Sequence, residues 1–360
     1  MLFYLIGLLV LCAAAIAVVR PRQRRLPGKK PFLTKERLAL MSVCLFLFLV
    51  YALQDLHSNG DLILYADRFN ELQHISVRSF VRGIDEYKDP VYHLLGLLLS
   101  KIGFDFYAWK ALISLVFVLG LYRLLMYHSA DPALSLVVFL ALDLFGFSLS
   151  GLRQTLAIGI LFFSYPFLKE KRFFRFALIV VTASLFHSTA LIFLLAYPVY
   201  RLRLRLRNIL ILAAAGIVVL FNAAPLTNLY LRLTGMDDLY TAYLEESSGL
   251  NLTGVLISGS IWLFCVCILY SNRSNRRDER LCNLSLLAFF LRILATVQLA
   301  EFFRISMYFS MFDLLMIADA CSCYTEERSM TRFKTAGVSL ALTGYYFIAQ
   351  NGNILSYMLR

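Results

Sequence analysis

The stretch Leu38–Gln54 reads LALMSVCLFLFLVYALQ and holds 17 residues without a charged side chain. A helix of this length and apolarity falls within the range of about 17–25 residues that crosses the hydrocarbon core of a bilayer. Similar apolar runs recur along the 360 residues, of which 60% are hydrophobic and 16% are charged. Since soluble domains hold about a quarter charged residues, the composition excludes an ordinary soluble protein. It predicts an all-α, polytopic integral membrane protein.

The charged residues outside this stretch predict its orientation. The preceding segment, Arg20–Arg37, carries eight basic residues and one acid, whereas Asp55–Asp89 carries seven acids and four basic residues. Because cytoplasmic loops carry an excess of Lys and Arg, Leu38–Gln54 is predicted to run outward. The net charge of +12 is therefore assigned to loops between membrane helices, and no nucleic-acid partner is expected.

The same rule orders the rest of the chain as a single membrane domain, residues 1–360, with about 11–12 transmembrane helical segments. They are Leu2–Val19, Leu38–Gln54, Ala108–Tyr127, Ala133–Leu149, Gln154–Leu168, two halves of Phe173–Tyr200, Ile209–Phe221, Thr253–Tyr270, Leu281–Leu299, Phe303–Ala320 and Ala336–Gln350.

Two segments do not follow the simple pattern. Val91–Phe104 has 14 residues, about 21 Å as a helix, against a hydrocarbon core of about 30 Å. It is predicted to be a re-entrant or interfacial helix on the outer side, with a short span as the alternative.

Phe173–Tyr200 has basic clusters at both ends, which predicts a broken-helix hairpin with its apex near His187. A single long tilted helix is the alternative.

Several ionisable residues fall near the outer face in this topology. Charged groups at membrane depth are costly and usually line a cavity or pair with each other. Arg153, with Gln154, follows a Ser-Gly turn at a predicted helix start. A guanidinium fork at a helix N-terminus favours a phosphate group, although interfacial snorkelling is the alternative. His187 suits hydrogen bonding to phosphate or proton transfer near neutral pH, with packing as the alternative.

Later residues add further candidates. Glu301 and Arg304 stand three positions apart and form either an internal ion pair or part of a catalytic site. Arg304 and Arg292 together suit an anion site. Asp61 and Tyr65 lie one helical turn apart and suit sugar hydroxyls, or they are solvated loop residues. Neither a Gly-rich phosphate loop nor His/Cys spacing typical of zinc occurs, so neither a metal nor a cofactor is expected.

The order of these features resembles the EpsG family of bacterial membrane proteins, which are related to Wzy-type polysaccharide polymerases. The resemblance rests on five short motifs that together cover most of the chain. They are Asp61-x-x-x-Tyr65, Asp89-Pro90-x-Tyr92-x-x-Leu95, Gly151-Leu152-Arg153-Gln154-x-x-Ala157, Leu185-Phe186-His187-Ser188-x-Ala190-Leu191 and Arg304-Ile305-x-x-Tyr308-Phe309.

The resemblance implies an enzyme that polymerises oligosaccharide repeats carried on undecaprenyl diphosphate, at the outer face of the bacterial cytoplasmic membrane. Arg153, Arg304 and Arg292 would stabilise the charge that develops on the leaving diphosphate. His187, Glu301 or Asp61, in that order, would accept the proton of the acceptor hydroxyl. The further motif residues are assigned to substrate binding: Gln154, Tyr65, Asp89, Tyr92 and Tyr308.

Two other functions remain open at this stage. A transporter or flippase of lipid-linked sugars would show repeated halves and polar residues at all membrane depths, whereas this chain shows no internal repeat. A ligase or acyltransferase working on the outer face would use similar Arg and His residues. The expected partners of a polymerase are the lipid-linked oligosaccharide, the bilayer, and a chain-length regulator and flippase of the same pathway.

Overall fold

The computed structural model describes residues 35–58, 60–142, 144–222, 225, 252–271, 278–297 and 301–323, and the regular secondary structure in these ranges is helical throughout. The chain divides into two compact units, unit 1 with described residues from 35 to 194 and unit 2 from 195 to 323. The prediction of a single membrane domain stays a prediction. The predicted helices Leu2–Val19 and Ala336–Gln350 lie outside the described residues.

The prediction of an all-α polytopic membrane protein is confirmed. Within the described ranges, three helices are long and apolar enough to cross a membrane: Glu36–Leu53, Phe106–His128 and Gly254–Ser271. Two bent helix pairs raise the number of candidate spans to five. The predicted total of about 11–12 membrane-crossing segments also counts shorter helices, of which four apolar examples with 10–17 residues are described.

The described part of unit 1, residues 35–194, holds ten α-helices. They are α1 (Lys35–Leu53), α2 (Gly60–Gln73), α3 (Val77–Arg82), α4 (Pro90–Lys101), α5 (Phe106–His128), α6 (Pro132–Ala141), α7 (Leu144–Ser150), α8 (Leu152–Phe162), α9 (Tyr165–Lys169) and α10 (Phe173–Ser184). A 3₁₀ helix, Ser188–Leu195, follows α10.

The helix α5 is the central span of this unit. Its 23 residues give a length of about 34 Å, enough for the hydrocarbon core. Asp105 caps its N-terminus, because the side-chain carboxylate accepts a hydrogen bond of 2.8 Å from the Ala108 N–H. The buried Lys110 ammonium donates to the carbonyl oxygen of Gln54, just after α1 ends. This hydrogen bond joins the C-terminal end of α1 to the N-terminal part of α5.

Two glycines allow α5 and α8 to cross closely. A β-carbon on Gly120 would lie 2.3 Å from the carbonyl oxygen of Gly159, and one on Gly159 would lie 2.6 Å from the Cα of Phe117. Small residues at such crossings let helix backbones approach. The α8 helix, which begins with Leu152 and Arg153, is therefore held directly against α5, the longest helix described in unit 1.

The structure differs from three sequence-based boundaries. Helix α4 ends at Lys101, where the sequence predicted an apolar helix to Phe104; with 12 residues it is about 18 Å long, too short to span directly. The predicted helix Gln154–Leu168 is two helices, because α8 ends at Phe162 and α9 begins at Tyr165. The predicted span Ala133–Leu149 is the bent pair of α6 and α7.

The sequence predicted a break near Phe186-His187-Ser188. Helix α10 ends at Ser184, and the 3₁₀ helix begins at Ser188. His187 therefore lies between two helical segments rather than inside a long one, which is the feature that a broken-helix hairpin requires.

Unit 2 contains α11 (Ala196–Arg201), α12 (Leu206–Phe221), α13 (Leu252–Ser271), α14 (Leu281–Val297), α15 (Glu301–Ser310) and α16 (Asp313–Ser322). The last two form a broken pair bent by 42°. Two hydrogen bonds join the region around the start of α14 to the end of α11. Asn283 donates a 2.8 Å hydrogen bond to the Leu202 carbonyl oxygen, and the Tyr200 hydroxyl donates to Asp278.

Candidate active site

Asp89 lies at the centre of the candidate site. It caps the N-terminus of α4 with φ 60° and ψ 59°, a left-handed conformation. The following Pro90 disfavours the right-handed helical region for Asp89, and Asp tolerates the left-handed region better than most residues. Such backbone positions cost about 1–3 kcal/mol and occur often at functional sites. The side chain of Asp89 is fully buried.

Three protein groups donate hydrogen bonds to this carboxylate. Arg153 Nη1 lies 3.1 Å and His187 Nδ1 lies 3.0 Å from Asp89 Oδ2, while the Ser188 N–H lies 2.8 Å from Oδ1. Arg153 Nη1 also lies 3.3 Å from the carbonyl oxygen of Lys88. We name Asp89, Arg153, His187 and Ser188 the Asp89 cluster. It joins Asp89 to residues that lie 64 to 99 positions further along the chain.

The cluster determines the charge of Asp89. Burial raises the pKa of its carboxyl group, but the hydrogen bonds from His187 and Ser188 and the positive charge of Arg153 lower it by more. The resulting pKa is about 2. Asp89 is therefore ionised at neutral pH and can act only as a hydrogen-bond acceptor.

An ionised Asp89 determines which ring nitrogen of His187 carries the proton. Because the carboxylate only accepts, the Nδ1 atom of His187 must carry the donated proton. In the neutral imidazole, Nε2 is then left with its lone pair, the arrangement of the carboxylate–histidine pair in serine proteases. The side chains of His187 and Arg153 are 13% and 22% exposed, so both remain accessible to a ligand while Asp89 does not.

Arg153 occupies the first turn of α8, where the N–H groups of the helix start are not used by the helix itself. Its guanidinium lies 5.8 Å from the ring centroid of Tyr65 on α2, a cation–π contact. Gln154, the next residue, is buried, and Asp61 lies half-buried in the first turn of α2. The structure thus brings Arg153, His187, Asp89 and Tyr65 together.

A small aromatic hollow adjoins the cluster; its free volume is about 10 Å³, roughly the space that one water molecule needs. We define it by six of its lining residues: Tyr65, Phe69, Tyr92, His93, Gly96 and Trp109. Tyr65 belongs to both places, since its ring contacts Arg153 and also packs against Tyr92 with centroids 6.3 Å apart. Burial and the nearby charges of Arg153 and Arg68 lower the pKa of His93 to about 4, so its ring is neutral at pH 7.

The remaining predicted residues lie in unit 2. Arg292 of α14 donates hydrogen bonds of 2.5 Å to Ser258 Oγ and 3.1 Å to Ser310 Oγ. On α15, Arg304 is exposed and Tyr308 is buried. Glu301 is the first residue of α15, and its side chain lies outside the described part of the structure, so the predicted Glu301–Arg304 ion pair stays a prediction.

Comparison with known protein families identifies the chain. The model of the EpsG family matches residues 37–357, most of the sequence. The chain belongs to the EpsG family. EpsG proteins are Wzy-like polysaccharide polymerases, which gives this chain a polysaccharide polymerase role in exopolysaccharide biosynthesis. Neither the curated proteins nor the solved structures gave a significant match.

Sequence reasoning missed two features of this EpsG protein. The anchoring role of Asp89 and the Ser188 N–H was not predicted, although Asp89-Pro90 is a recognisable signal, since Pro is favoured in the first turn that follows a helix cap. The aromatic hollow was also missed, because His93 and Trp109 carry no motif. Among the described residues, no group of three or more His, Cys, Asp and Glu side chains is arranged to hold a metal ion; metal independence stays a prediction.

Proposed function

We propose that this EpsG protein polymerises oligosaccharide repeats linked to undecaprenyl diphosphate, at the outer face of the bacterial cytoplasmic membrane. The observation that supports the proposal is the Asp89 cluster. It presents an accessible guanidinium and an accessible imidazole on one buried carboxylate. Glycosyl transfer from a diphosphate requires two groups: a cation that stabilises the developing negative charge, and a base that accepts a proton.

The reaction follows from these two groups. The hydroxyl oxygen of the acceptor repeat forms a bond to the anomeric carbon of the donor, and the bond from that carbon to the diphosphate oxygen breaks. The hydroxyl proton passes to His187 Nε2, and the bonding electrons leave with the lipid diphosphate, whose additional negative charge Arg153 stabilises. Asp89 holds the Nδ1 proton of His187 throughout and does not itself transfer one.

Arg304 and Arg292 are proposed to assist in holding the diphosphate, as the sequence suggested. Arg304 is exposed on α15, whereas Arg292 is engaged by two serine hydroxyls. Of the two, Arg304 therefore has the more accessible guanidinium, and we expect its replacement to have the larger effect on binding of the lipid diphosphate.

The test uses the purified full-length protein in nanodiscs with lipid-diphosphate-linked repeats from cells that produce the polysaccharide. We expect the wild-type protein to produce longer glycans, and Arg153→Ala and His187→Gln each to reduce the elongation rate by roughly 10²–10⁴. Arg172→Ala is the matched control, because it removes an exposed ion pair with Glu170, 2.9 Å long.

The outcomes separate the competing functions. If Arg153→Ala and His187→Gln both elongate at the wild-type rate, the site assignment is wrong. Movement of the lipid across vesicles without longer glycans would support a flippase, and transfer of a single finished chain or an acyl group would support a ligase or acyltransferase. Elongation that persists after chelation by EDTA would support the predicted metal independence.

A further inference from the structure

We propose that the hydroxyl group of Tyr65 donates a hydrogen bond to the diphosphate of the lipid-linked substrate, so that Tyr65 and Arg153 hold the leaving group together. This inference rests on the proposed function for the identity of the anion. The sequence suggested only that Tyr65 suits sugar hydroxyls, whereas in the structure its side chain contacts the guanidinium of the Asp89 cluster.

Tyr65 contacts Arg153 through two parts of its side chain. The guanidinium carbon lies 5.8 Å from the ring centroid, a cation–π contact. The guanidinium also donates a hydrogen bond to the Tyr65 hydroxyl oxygen, since an arginine side chain can only donate. Tyr65 is half-buried on α2, and the side chain of Arg153 is 22% exposed. A ligand can therefore reach both groups from the surface, without a closed cavity.

The direction of this hydrogen bond leaves the Tyr65 proton for another acceptor. A phenol hydroxyl can accept one hydrogen bond and donate another at the same time, and Arg153 uses only the accepting side. An acceptor that binds next to the guanidinium can then receive hydrogen bonds from a charged N–H group and from the Tyr65 hydroxyl together.

A phosphate oxygen matches these two donors better than a sugar hydroxyl does. Phosphate oxygens are strong acceptors with a negative charge, and hydrogen bonds to such groups from a guanidinium are among the stronger ones in proteins. A sugar hydroxyl is uncharged and gains less from the charge of Arg153. It also brings a proton that needs an acceptor, whereas the Tyr65 oxygen already accepts from Arg153.

A second donor matters because Arg153 is already engaged. Its Nη1 atom lies 3.1 Å from the Asp89 carboxylate and 3.3 Å from the carbonyl oxygen of Lys88, and the charge of Asp89 offsets that of the guanidinium. Tyr65 adds a donor without adding charge. Its hydrogen bond should strengthen as negative charge develops on the leaving oxygen, as the donors of an oxyanion hole do. Tyr65 keeps its proton throughout.

Tyr65→Phe tests this role, because it removes the hydroxyl and retains the ring beside Arg153. Tyr107→Phe is the matched control. Tyr107 is an exposed tyrosine on α5, and Lys110 Nζ lies 5.1 Å from its ring centroid. Each variant therefore loses one hydroxyl and keeps one aromatic ring next to a cation.

The binding experiment uses farnesyl diphosphate, which carries a diphosphate and a short isoprenoid but no sugar. The full-length protein in detergent is titrated calorimetrically with this probe and, separately, with uncharged farnesol. We expect the wild-type protein to bind farnesyl diphosphate more tightly than farnesol. Tyr65→Phe should weaken binding of the diphosphate roughly tenfold and leave farnesol binding unchanged, while Tyr107→Phe should change neither. In the elongation assay, Tyr65→Phe should lower kcat roughly 10²-fold.

Four binding results would overturn the inference. Equal affinity of the wild-type protein for the two probes would show that the diphosphate is not recognised. Unchanged binding in Tyr65→Phe would mean that the hydroxyl donates elsewhere, for example to Asp61 one helical turn earlier. Tighter binding would mean that the hydroxyl only competes for Arg153, and an equal loss for farnesol would indicate general disruption of the site.

The elongation assay keeps the two proposals separate. A wild-type protein that elongates glycans, with a Tyr65→Phe variant that binds farnesyl diphosphate equally well, would refute this inference and leave the proposed function intact. Weaker binding of farnesyl diphosphate to Tyr65→Phe, with a wild-type protein that does not elongate glycans, would refute the proposed function while supporting the contact with diphosphate.

Discussion

At the scale of single residues, Asp89 is the group whose replacement is most informative. Asp89→Asn keeps the shape of the side chain but removes its negative charge. The carboxylate oxygen that accepts hydrogen bonds from Arg153 and His187 is replaced by part of an amide group. We expect kcat for elongation to fall roughly 10²–10⁴, because His187 loses its orientation. KM for the lipid-linked repeat should stay the same or decrease, since Arg153 loses the anion that competes with the substrate.

Steady-state kinetics at several concentrations of lipid-linked repeat check this prediction. A fall in kcat together with a rise in KM would contradict it, because general disruption of the site would impair binding as well. Asp89→Glu serves as the companion variant: it retains the charge on a longer side chain and should recover part of the lost kcat.

His93 predicts a pH dependence of stability. Burial, with the charges of Arg153 and Arg68, lowers its pKa to about 4, whereas an unfolded histidine titrates near about 6.5. Between these values the unfolded chain binds more protons, so the free energy of unfolding decreases as the pH falls from about 6.5 to about 4. We expect the thermal midpoint in detergent to be lower at pH 5 than at pH 7. His93→Gln should reduce this difference, while the exposed His74→Gln should preserve it.

At the scale of helices, the crossing of α5 and α8 positions Arg153. Gly159→Ala would place a β-carbon 2.6 Å from the Cα and 2.9 Å from the N of Phe117, and backbone atoms cannot move aside as a flexible side chain can. We expect a loss of stability of about 1–3 kcal/mol and lower elongation activity. Thermal melting and the elongation assay measure both effects. Gly60→Ala, with nothing within 4 Å of its β-carbon, is the control; an equal loss there would refute the steric explanation.

At the scale of the whole molecule, the charge distribution predicts the topology. In a variant without the seven native cysteines, Glu71→Cys should react with a membrane-impermeant maleimide from the outside of intact spheroplasts. Lys171→Cys, an exposed position after α9, should react only after the membrane is opened. Labelling of Lys171→Cys in intact spheroplasts would refute the orientation and, with it, the placement of the Asp89 cluster at the outer face.

The sequence predicted the helical class because hydrophobic runs directly express the membrane environment. It also placed His187 at a helix break and identified Arg153 from its charge in an apolar context. It did not predict the breaks between α6 and α7 or between α8 and α9, although the sequence has a signal at each: Asp143 lies at the first break, and Ser164 and Pro166 lie at the second. The contact of Asp89 with Ser188, 99 positions away, depends on tertiary packing and a left-handed backbone, which hydrophobic periodicity does not encode.

The pairing of Arg153 with Asp89 has a consequence for turnover. In the enzyme without substrate, the guanidinium of Arg153 is already paired with the carboxylate of Asp89. Small anions from solution must compete with this carboxylate and therefore bind weakly. An incoming substrate must compete with this carboxylate, which it can do only by adding the attachment of its glycan and its lipid tail. After glycosyl transfer, the lipid diphosphate no longer carries its glycan and binds less strongly. We expect Asp89 to pair with Arg153 again and so to accelerate release of the lipid diphosphate, which returns the enzyme to its starting state.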